Sequence, residues 1–509
     1  MKRLIPLLFA ATLTACAVNP VTGDRDFITM SPSDDLKIGT QNYQPMLQAQ
    51  GGAYDVDPAL TEYVQGVGQK LAAVSDVQLP YEFTVLNSSV PNAWALPGGK
   101  IAINRGLLTE MNSEAELAAV LGHEIVHAAA RHSAQQMSRG QLLQGLVVAT
   151  SVVASDAGYA DLAIGGAGIA AQLISTKYGR SAELESDKYG MRYMAHAGYD
   201  PQGAVSLQET FVRLSEGRNQ DWIEGLFASH PPSHERVKEN RKRANKMEPG
   251  GFLGVTEYQA ALQQARSAKP AYDIYDEGRK ALAEDKVDEA LALANDALDL
   301  YPAEANFHAL RGDVRLTKEQ FDLAITNYDR AIGRRESFFY YYVQRGLARK
   351  GLHKTNDAIQ DLERSIELLP TAPAHYHLGL IRKDQGRIEE AVEHFTVVAK
   401  SSGGEYGKAA NGQLARLQIA DQPEKYVSKQ CAAGSNGNVV VAVRNEAAVA
   451  ITGVRVQLDY SDSYGNTRRE LIDIGKRIEA GQVAQKDTGI RVVEGTRCDV
   501  QVIAARVAD

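Results

Sequence analysis

Long apolar runs are missing from this chain. Its two most apolar stretches, 142–154 and the glycine-rich 162–174, fall short of the roughly 18–20 residues that a membrane-spanning helix needs. They read as buried or groove-covering helices joined by a loop at 155–161, with membrane contact as the alternative. Basic excess is missing too: 55 Lys and Arg stand against 63 Asp and Glu, for a net charge of −8 and a pI near 5.9. That excludes nucleic acid as the main partner, because phosphate binding needs a basic surface. Cysteine is scarce, with Cys16, Cys431 and Cys498 the only three in 509 residues. What remains, 44% hydrophobic and 23% charged residues, is the balance of a soluble globular protein. The length calls for three or more domains.

The first 15 residues read as a targeting segment. Lys2 and Arg3 are its positive start, and 4–11 its apolar body, interrupted only by Pro6. Leu13-Thr14-Ala15-Cys16 then resembles a bacterial lipobox. On that reading residues 1–15 are a lipoprotein signal peptide, cleavage falls before Cys16, and Cys16 carries the lipid. Ala17 rather than Asp follows it, which implies a periplasmic protein anchored to the outer membrane. Acyl chains hold a protein to a leaflet without spanning it. The alternative is a plain secretory signal with an incidental cysteine. Residues 16–30 read as a tether. In an oxidising compartment Cys431 and Cys498 either form a disulfide or stay free thiols.

The chemistry is carried by Gly122-His123-Glu124-Ile125-Val126-His127. It contains H-E-x-x-H, whose spacing has a physical basis. On a helix, residues i and i+4 share one face about a turn apart, so His123 and His127 can aim at one ion. Glu124 stands beside that ion, placed to accept a proton from an attacking water. Ser113 and Glu116 form the pattern of a capping box, and Ala115, Leu117, Ala118, Val120 and Leu121 give the helix an apolar face. Arg131 and His132 fall near its end. A catalytic zinc needs a third protein ligand. The candidate is Glu183, in Arg180-Ser181-Ala182-Glu183, with Asp187 one turn on to hold a ligand histidine by its far nitrogen.

Together these motifs resemble the gluzincin peptidases of the HtpX and CaaX-prenyl-protease type. Asn92-Ala93-Trp94-Ala95-Leu96-Pro97-Gly98-Gly99 is similar to the family's N-A-F-A-x-P-G-G strand, Ala197-Gly198-Tyr199-Asp200-Pro201 to its helix stop, and Ser229-His230-Pro231-Pro232 with Arg236 to its S-H-P-P…R segment. The resemblance covers roughly residues 30–250. It implies one Zn2+ held by His123, His127 and Glu183, with Glu124 as the base and Asp187 orienting a ligand histidine. It also implies an edge strand, Asn92, Ala93, Trp94 and Ala95, that holds an extended substrate by backbone pairing. Trp94 either shapes a subsite or fills the core. Arg236 and His196 are candidates for stabilising the oxyanion. His132 and His196 are left out as ligands. His230 could fold back over the cleft and take the open metal position as a latch, donate to the transition state, or be a loop bystander.

From about 271 to 400 the sequence repeats. Gly278, Gly312, Gly346 and Gly379 mark one position and Ala290, Ala324, Ala358 and Ala391 another, spaced by 34, 34 and 33 residues. A 34-residue period with small residues at two positions resembles the tetratricopeptide repeat, here four units whose concave face would bind protein. They contain no zinc or acid–base set, so removing 271–400 is expected to spare short-peptide hydrolysis. Beyond 420, stretches 438–443, 454–460 and 500–503 alternate like strands, suggesting a small β-sandwich pinned by Cys431 and Cys498.

The expected architecture is multidomain. An α+β gluzincin metallopeptidase domain occupies 31–250 and a helical linker 251–270. An all-α tetratricopeptide solenoid follows at 271–402 and a β-sandwich-like domain at 420–509. The combination resembles BepA-type periplasmic chaperone-proteases. That implies misfolded or stalled envelope proteins as substrates, outer-membrane assembly machinery as a partner of the repeats, and membrane contact by the lipid only. The rival expectation is a non-proteolytic assembly scaffold with a structural zinc.

Overall fold

The computed structural model describes residues 16–144, 178–217, 230–401, 403–462, 466–491 and 498–508. The signal-peptide reading of 1–15, most of the two apolar stretches and Ser229 lie outside the described residues. The chain divides into two compact units, Met1–Leu369 and Pro370–Asp509.

In the first unit, β1 (Cys16–Val18) pairs antiparallel with β2 (Arg25–Phe27). Two helices follow, α1 (Pro32–Ala49) and α2 (Pro58–Ala72). Pro58 opens α2 after Asp57, whose carboxylate accepts from the Leu60 amide at 3.2 Å. Leu60, Val64, Val67 and Leu71 then line its buried face at helical spacing, each worth about 1.5–3 kcal/mol of transfer free energy when fully buried. A three-stranded sheet contains β3 (Glu82–Leu86), β4 (Ala93–Leu96) and β5 (Lys100–Asn104) in the order β3-β5-β4. β3 runs parallel to β5 and β4 antiparallel to it, so β4 is an edge strand. Then come α3 (Arg105–Glu110), the fully buried α4 (Glu114–Ala129), α5 (His132–Gln144), α6 (Arg180–His196), α7 (Gln202–Gly217) and α8 (His234–Ala244).

Residues 16–30, expected as a tether, are folded onto this domain. Asn19 donates to Asp26 at 3.1 Å and to Glu185 of α6 at 3.0 Å, and the Thr29 amide donates to Ser138 of α5 at 2.9 Å. The polar residues that gave the stretch the look of a linker are the ones that tie it down. The cap of α4 also differs in one arm. Ser113 accepts from the Glu116 amide at 3.2 Å, but Glu116 reaches past Ser113 to the Asn112 amide at 2.8 Å.

Helices α9 (Val255–Ala261), α10 (Gln263–Ala283), α11 (Val287–Leu300), α12 (Ala305–Thr317), α13 (Phe321–Ile332), α14 (Phe339–Gly351) and α15 (Thr355–Leu368) complete the unit. From α10 on they form antiparallel pairs. A Cβ on Gly312 would stand 2.7 Å from the Tyr328 ring of α13 and one on Gly278 3.2 Å from Leu293 of α11, so the repeated glycine is where the next helix approaches. The repeats are not a separable module. Leu107 and Leu108 of α3 share one buried cluster with Tyr272, Phe307 and Leu310 of the repeats. Removing 271–400 would open that core, which corrects the expectation that the peptidase region stands without them.

The second unit holds α16 (Ala372–Asp384), α17 (Ile388–Ser401) and α18 (Glu405–Gln418). Six strands follow: β6 (Val427–Ala433), β7 (Asn438–Asn445), β8 (Ile451–Ser461), β9 (Thr467–Asp473), β10 (Val483–Arg491) and β11 (Cys498–Val507). They make two antiparallel sheets, β10-β7-β6 and β11-β8-β9, packed over Val441, Val443, Val456, Leu458 and Val500. Cys431 on β6 and Cys498 on β11 join the sheets through a disulfide, with Cα atoms 6.2 Å apart.

Candidate metal centre

α4 presents His123 and His127 one turn apart on the face it turns toward α6, with their Nε2 atoms 3.0 Å from each other. Glu183, in the first turn of α6, brings Oε2 to 3.5 Å from the His123 Nε2 and Oε1 to 3.4 Å from the His127 Nε2. His230 enters from the segment before α8. Its Nδ1 lies 2.9 Å from Glu183 Oε1 and 3.3 Å from His123 Nε2. One donor atom from each of these four buried residues falls within 4.8 Å of the other three. A tetrahedral zinc with bonds near 2.0–2.2 Å sets its ligands about 3.3–3.5 Å apart, so the donor set fits such an ion in spacing and in chemistry.

His123 and Glu183 are held from behind. Asp187, one turn along α6 from Glu183, meets His123 Nδ1 at 3.0 Å. Arg236 on α8 forks onto Asp187 at 2.8 and 2.7 Å and onto Glu183 at 2.9 Å. Burial pushes Asp187 up, but the Arg236 guanidinium outweighs it and holds the carboxyl well below its usual range. Arg236 is itself buried and pushed above its ordinary value by the same carboxylates. Its fork is engaged on both carboxylates. His196 is exposed and outside the cluster.

His132, not expected as a ligand, lies outside the cluster but backs it: its Nδ1 sits 2.9 Å from His127 Nδ1 while its Nε2 faces Glu185 at 3.4 Å. Arg131, at φ 60°, turns the chain sharply between α4 and α5 and so folds His132 back onto His127. The Tyr178 ring packs 3.9 Å from the His127 ring, its hydroxyl 2.9 Å from Ser133 Oγ. Five-residue spacing across a helix end was the available signal for His132; Tyr178 had none. Burial holds His127 well below the ordinary imidazole value despite its bond to Glu183, in the neutral form that ligates metal. Burial also works against protonation of His123, but Glu183 and Asp187 outweigh it and raise His123 to about 9, so protons and metal compete there.

Glu124 is 2% exposed. Its Oε2 has no hydrogen-bond partner, and its Oε1 is 3.5 Å from His230 Nε2. A buried acceptor left unmatched costs about 1–3 kcal/mol, more when charged, and here it lines a narrow cavity with Ala93, Val120, His123 and His230. Along the edge strand, Ala93 and Ala95 pack in the core that contains α4. Trp94 points to the opposite face, against Tyr43, Met46 and Leu47 of α1, with the Tyr43 ring edge-on at 6.1 Å. Trp94 is therefore core filling and forms no subsite at the cluster. Asn92 is buried, its carbonyl accepting from the Asn104 amide at 2.8 Å.

Comparison with known proteins matches residues 58–244 to Peptidase family M48, and residues 275–337 and 372–396 to tetratricopeptide repeats. The chain is 27% identical over 268 residues to the beta-barrel assembly-enhancing protease of Escherichia coli K12, covering 51% of this chain and 53% of that one. To the Yersinia pestis protein of the same name it is 29% identical, covering 47% and 50%. To Metalloprotease YcaL of Escherichia coli K12 it is 35% identical over 167 residues, covering 32% and 62%. The chain thus spans about half the length of the assembly-enhancing proteases it matches. Among the described residues no helix is long and apolar enough to cross a membrane.

Proposed function

From a chain that carries a Peptidase family M48 metallopeptidase domain followed by tetratricopeptide repeats, we propose a zinc-dependent endopeptidase that cleaves misfolded or stalled envelope proteins. One observation carries the reading: the buried carboxylate of Glu124, with one oxygen free of any hydrogen bond, stands beside a cluster of four metal donors. His123, His127 and Glu183 would hold one zinc ion. Bound there, zinc supplies Lewis acidity toward a carbonyl and lowers the pKa of water. Glu124 accepts the proton of the attacking water and returns it to the leaving amine. Asp187 and His132 fix the two imidazole orientations, and Arg236 fixes Asp187 and Glu183. The outer edge of β4 would pair with an extended chain through its backbone, so side-chain choice is loose. The repeats capture clients or assembly machinery. A lipid on Cys16 would keep the protein at the periplasmic face of the outer membrane.

The rival is an assembly scaffold with a structural zinc, and His230 favours it to this extent: four protein donors close a tetrahedral shell. Cleavage of casein and of a stalled β-barrel protein, with and without chelator, separates the two. Wild type should cleave and chelated protein should not. Glu124→Gln should keep its zinc and lose about 10²- to 10⁴-fold in rate, the usual weight of a general base. A zinc-loaded wild type that cleaves neither substrate overturns the peptidase reading.

A further inference from the structure

β4 is reached through the loop 87–92, and that loop is held by the repeats. Asn87 is buried, and its amide donates to both oxygens of Glu304, at 3.1 and 3.2 Å. Glu304 sits at the start of α12, 2% exposed, where it also accepts from the Asn306 amide at 2.9 Å and from the Tyr272 hydroxyl. On the peptidase side Arg105 is the matching buried cation, also 2% exposed. It donates to Ser89 Oγ at 2.7 Å and to Asn87 Oδ1 at 3.4 Å, with its guanidinium 3.4 Å from the centre of the Tyr272 ring. Two buried opposite charges thus grip one loop, Glu304 from the repeats and Arg105 from the root of α3. Ser88 accepts from the Gly106 amide at 2.9 Å, and Val90 accepts from the Asn104 side chain at 2.8 Å. At the far end of the same loop, Ala93 lines the cavity with His123 and Glu124.

A loop does not need two buried charges of opposite sign to stay folded, and burying charges is costly unless each finds partners. What this pair adds is a fixed path from the solenoid to the strand beside the metal cluster. We propose that Glu304 and Arg105 are positioning residues for the edge strand β4, through which the repeats set how an extended substrate is held. This rests on the peptidase reading above for its kinetic consequence, though not for its structural one.

The test uses the full-length, zinc-loaded protein and two variants, Glu304→Gln and Arg105→Lys. Glutamine keeps the shape of Glu304 but turns one acceptor into a donor facing Asn87. Lysine keeps the charge but cannot reach both Asn87 and Ser89. Hydrogen exchange at the amides of 87–96 should speed up in both variants, with the amides of α4 unchanged. For an extended peptide, KM should rise roughly 3- to 10-fold, the scale of one lost hydrogen bond, with kcat and zinc content retained. Unchanged exchange at 93–96 in a folded Glu304→Gln protein overturns the proposal. So does exchange that rises evenly across the unit, which would mark a merely structural role. If neither wild type nor His230→Ala cleaves the peptide while zinc is bound, the peptidase reading fails, and the exchange experiment still decides the positioning role.

Discussion

Gly122 on α4 and Gly190 on α6 meet where neither helix has a side chain. A Cβ on Gly190 would stand 3.0 Å from the Gly122 carbonyl carbon and from the His123 amide nitrogen, and one on Gly122 would stand 3.1 Å from the Gly190 carbonyl oxygen. This approach is what lets Asp187 reach His123 and sets Glu183 beside both ligand imidazoles. The neighbours of the missing methyl groups are backbone, which cannot rotate away.

Gly190→Ala should therefore spread the two helices by a few tenths of an ångström and loosen the His123–Asp187 bond. We expect metal affinity to fall about 10-fold, the lower end of what losing a contact behind a ligand costs, with the fold intact. A chelator competition shows it. Equal affinity in the variant would mean that the crossing has slack to give.

The ligand pair was legible because it needs only the helical period: i and i+4 meet wherever a helix forms, and Ser113 and the apolar face marked the helix. The Gly198 stop was legible for the same local reason. Gly198 adopts φ 86°, and the Tyr199 amide returns to the Met194 carbonyl at 2.9 Å. What depends on packing was not legible. His132 reaches His127 only through the turn at Arg131. The face of β4 that meets α4 is decided by α1 taking Trp94. β6, β9 and β10 leave little signal because they are largely exposed edge strands without apolar alternation. The joint between the repeats and the peptidase domain was hidden because its buried residues, Asn87, Arg105 and Glu304, belong to the types usually left at the surface.

Asp313 on α12 gives the repeats a pH signature. It is 7% exposed and accepts from the Tyr328 hydroxyl at 2.8 Å and the Tyr340 hydroxyl at 3.0 Å. Burial raises it to about 6, against the pull of Arg279 and these bonds. The folded state therefore holds this proton over a range, roughly pH 4 to 6, where the unfolded chain has already released it. The contribution is full at the acidic end and is lost as pH rises to about 6. Subtracting urea-unfolding free energies of Asp313→Asn from those of wild type across pH 4–8 should give a difference that falls to a plateau above 6. A flat difference would show that Asp313 titrates as it does in the unfolded chain.

The disulfide between Cys431 and Cys498 closes a loop of 67 residues between the two sheets. Loop-closure entropy puts its stabilisation near 4 kcal/mol on the chain-entropy account. Alkylation of the non-reduced protein should leave both thiols unlabelled. Reductant should lower the unfolding temperature of the C-terminal unit while leaving that of the first unit unchanged. Two labelled thiols in protein from an oxidising compartment would refute the bridge.

His230 stands between the metal cluster and Glu124. Its Nδ1 lies against Glu183 and His123, and its Nε2 faces Glu124, the carboxylate proposed as the base. Pro231 and Pro232 follow and cannot extend a helix, so the residue stays on a stiff segment, buried in the cleft at 4% exposure. A catalytic zinc keeps one position open, and an imidazole there would occupy the place of the water that Glu124 must deprotonate. As a latch, His230 blocks the reaction until a client displaces it. As a transition-state donor, it speeds the reaction. The two roles predict opposite signs for one substitution. On the latch reading His230→Ala should keep its zinc through His123, His127 and Glu183 and cleave peptides, itself included, faster than wild type before any client is added. A donor would instead lower kcat, and a bystander would leave the rate flat; either result removes the latch. Zinc content must be read in the same samples, because a variant that loses metal would lose activity for a reason unrelated to gating.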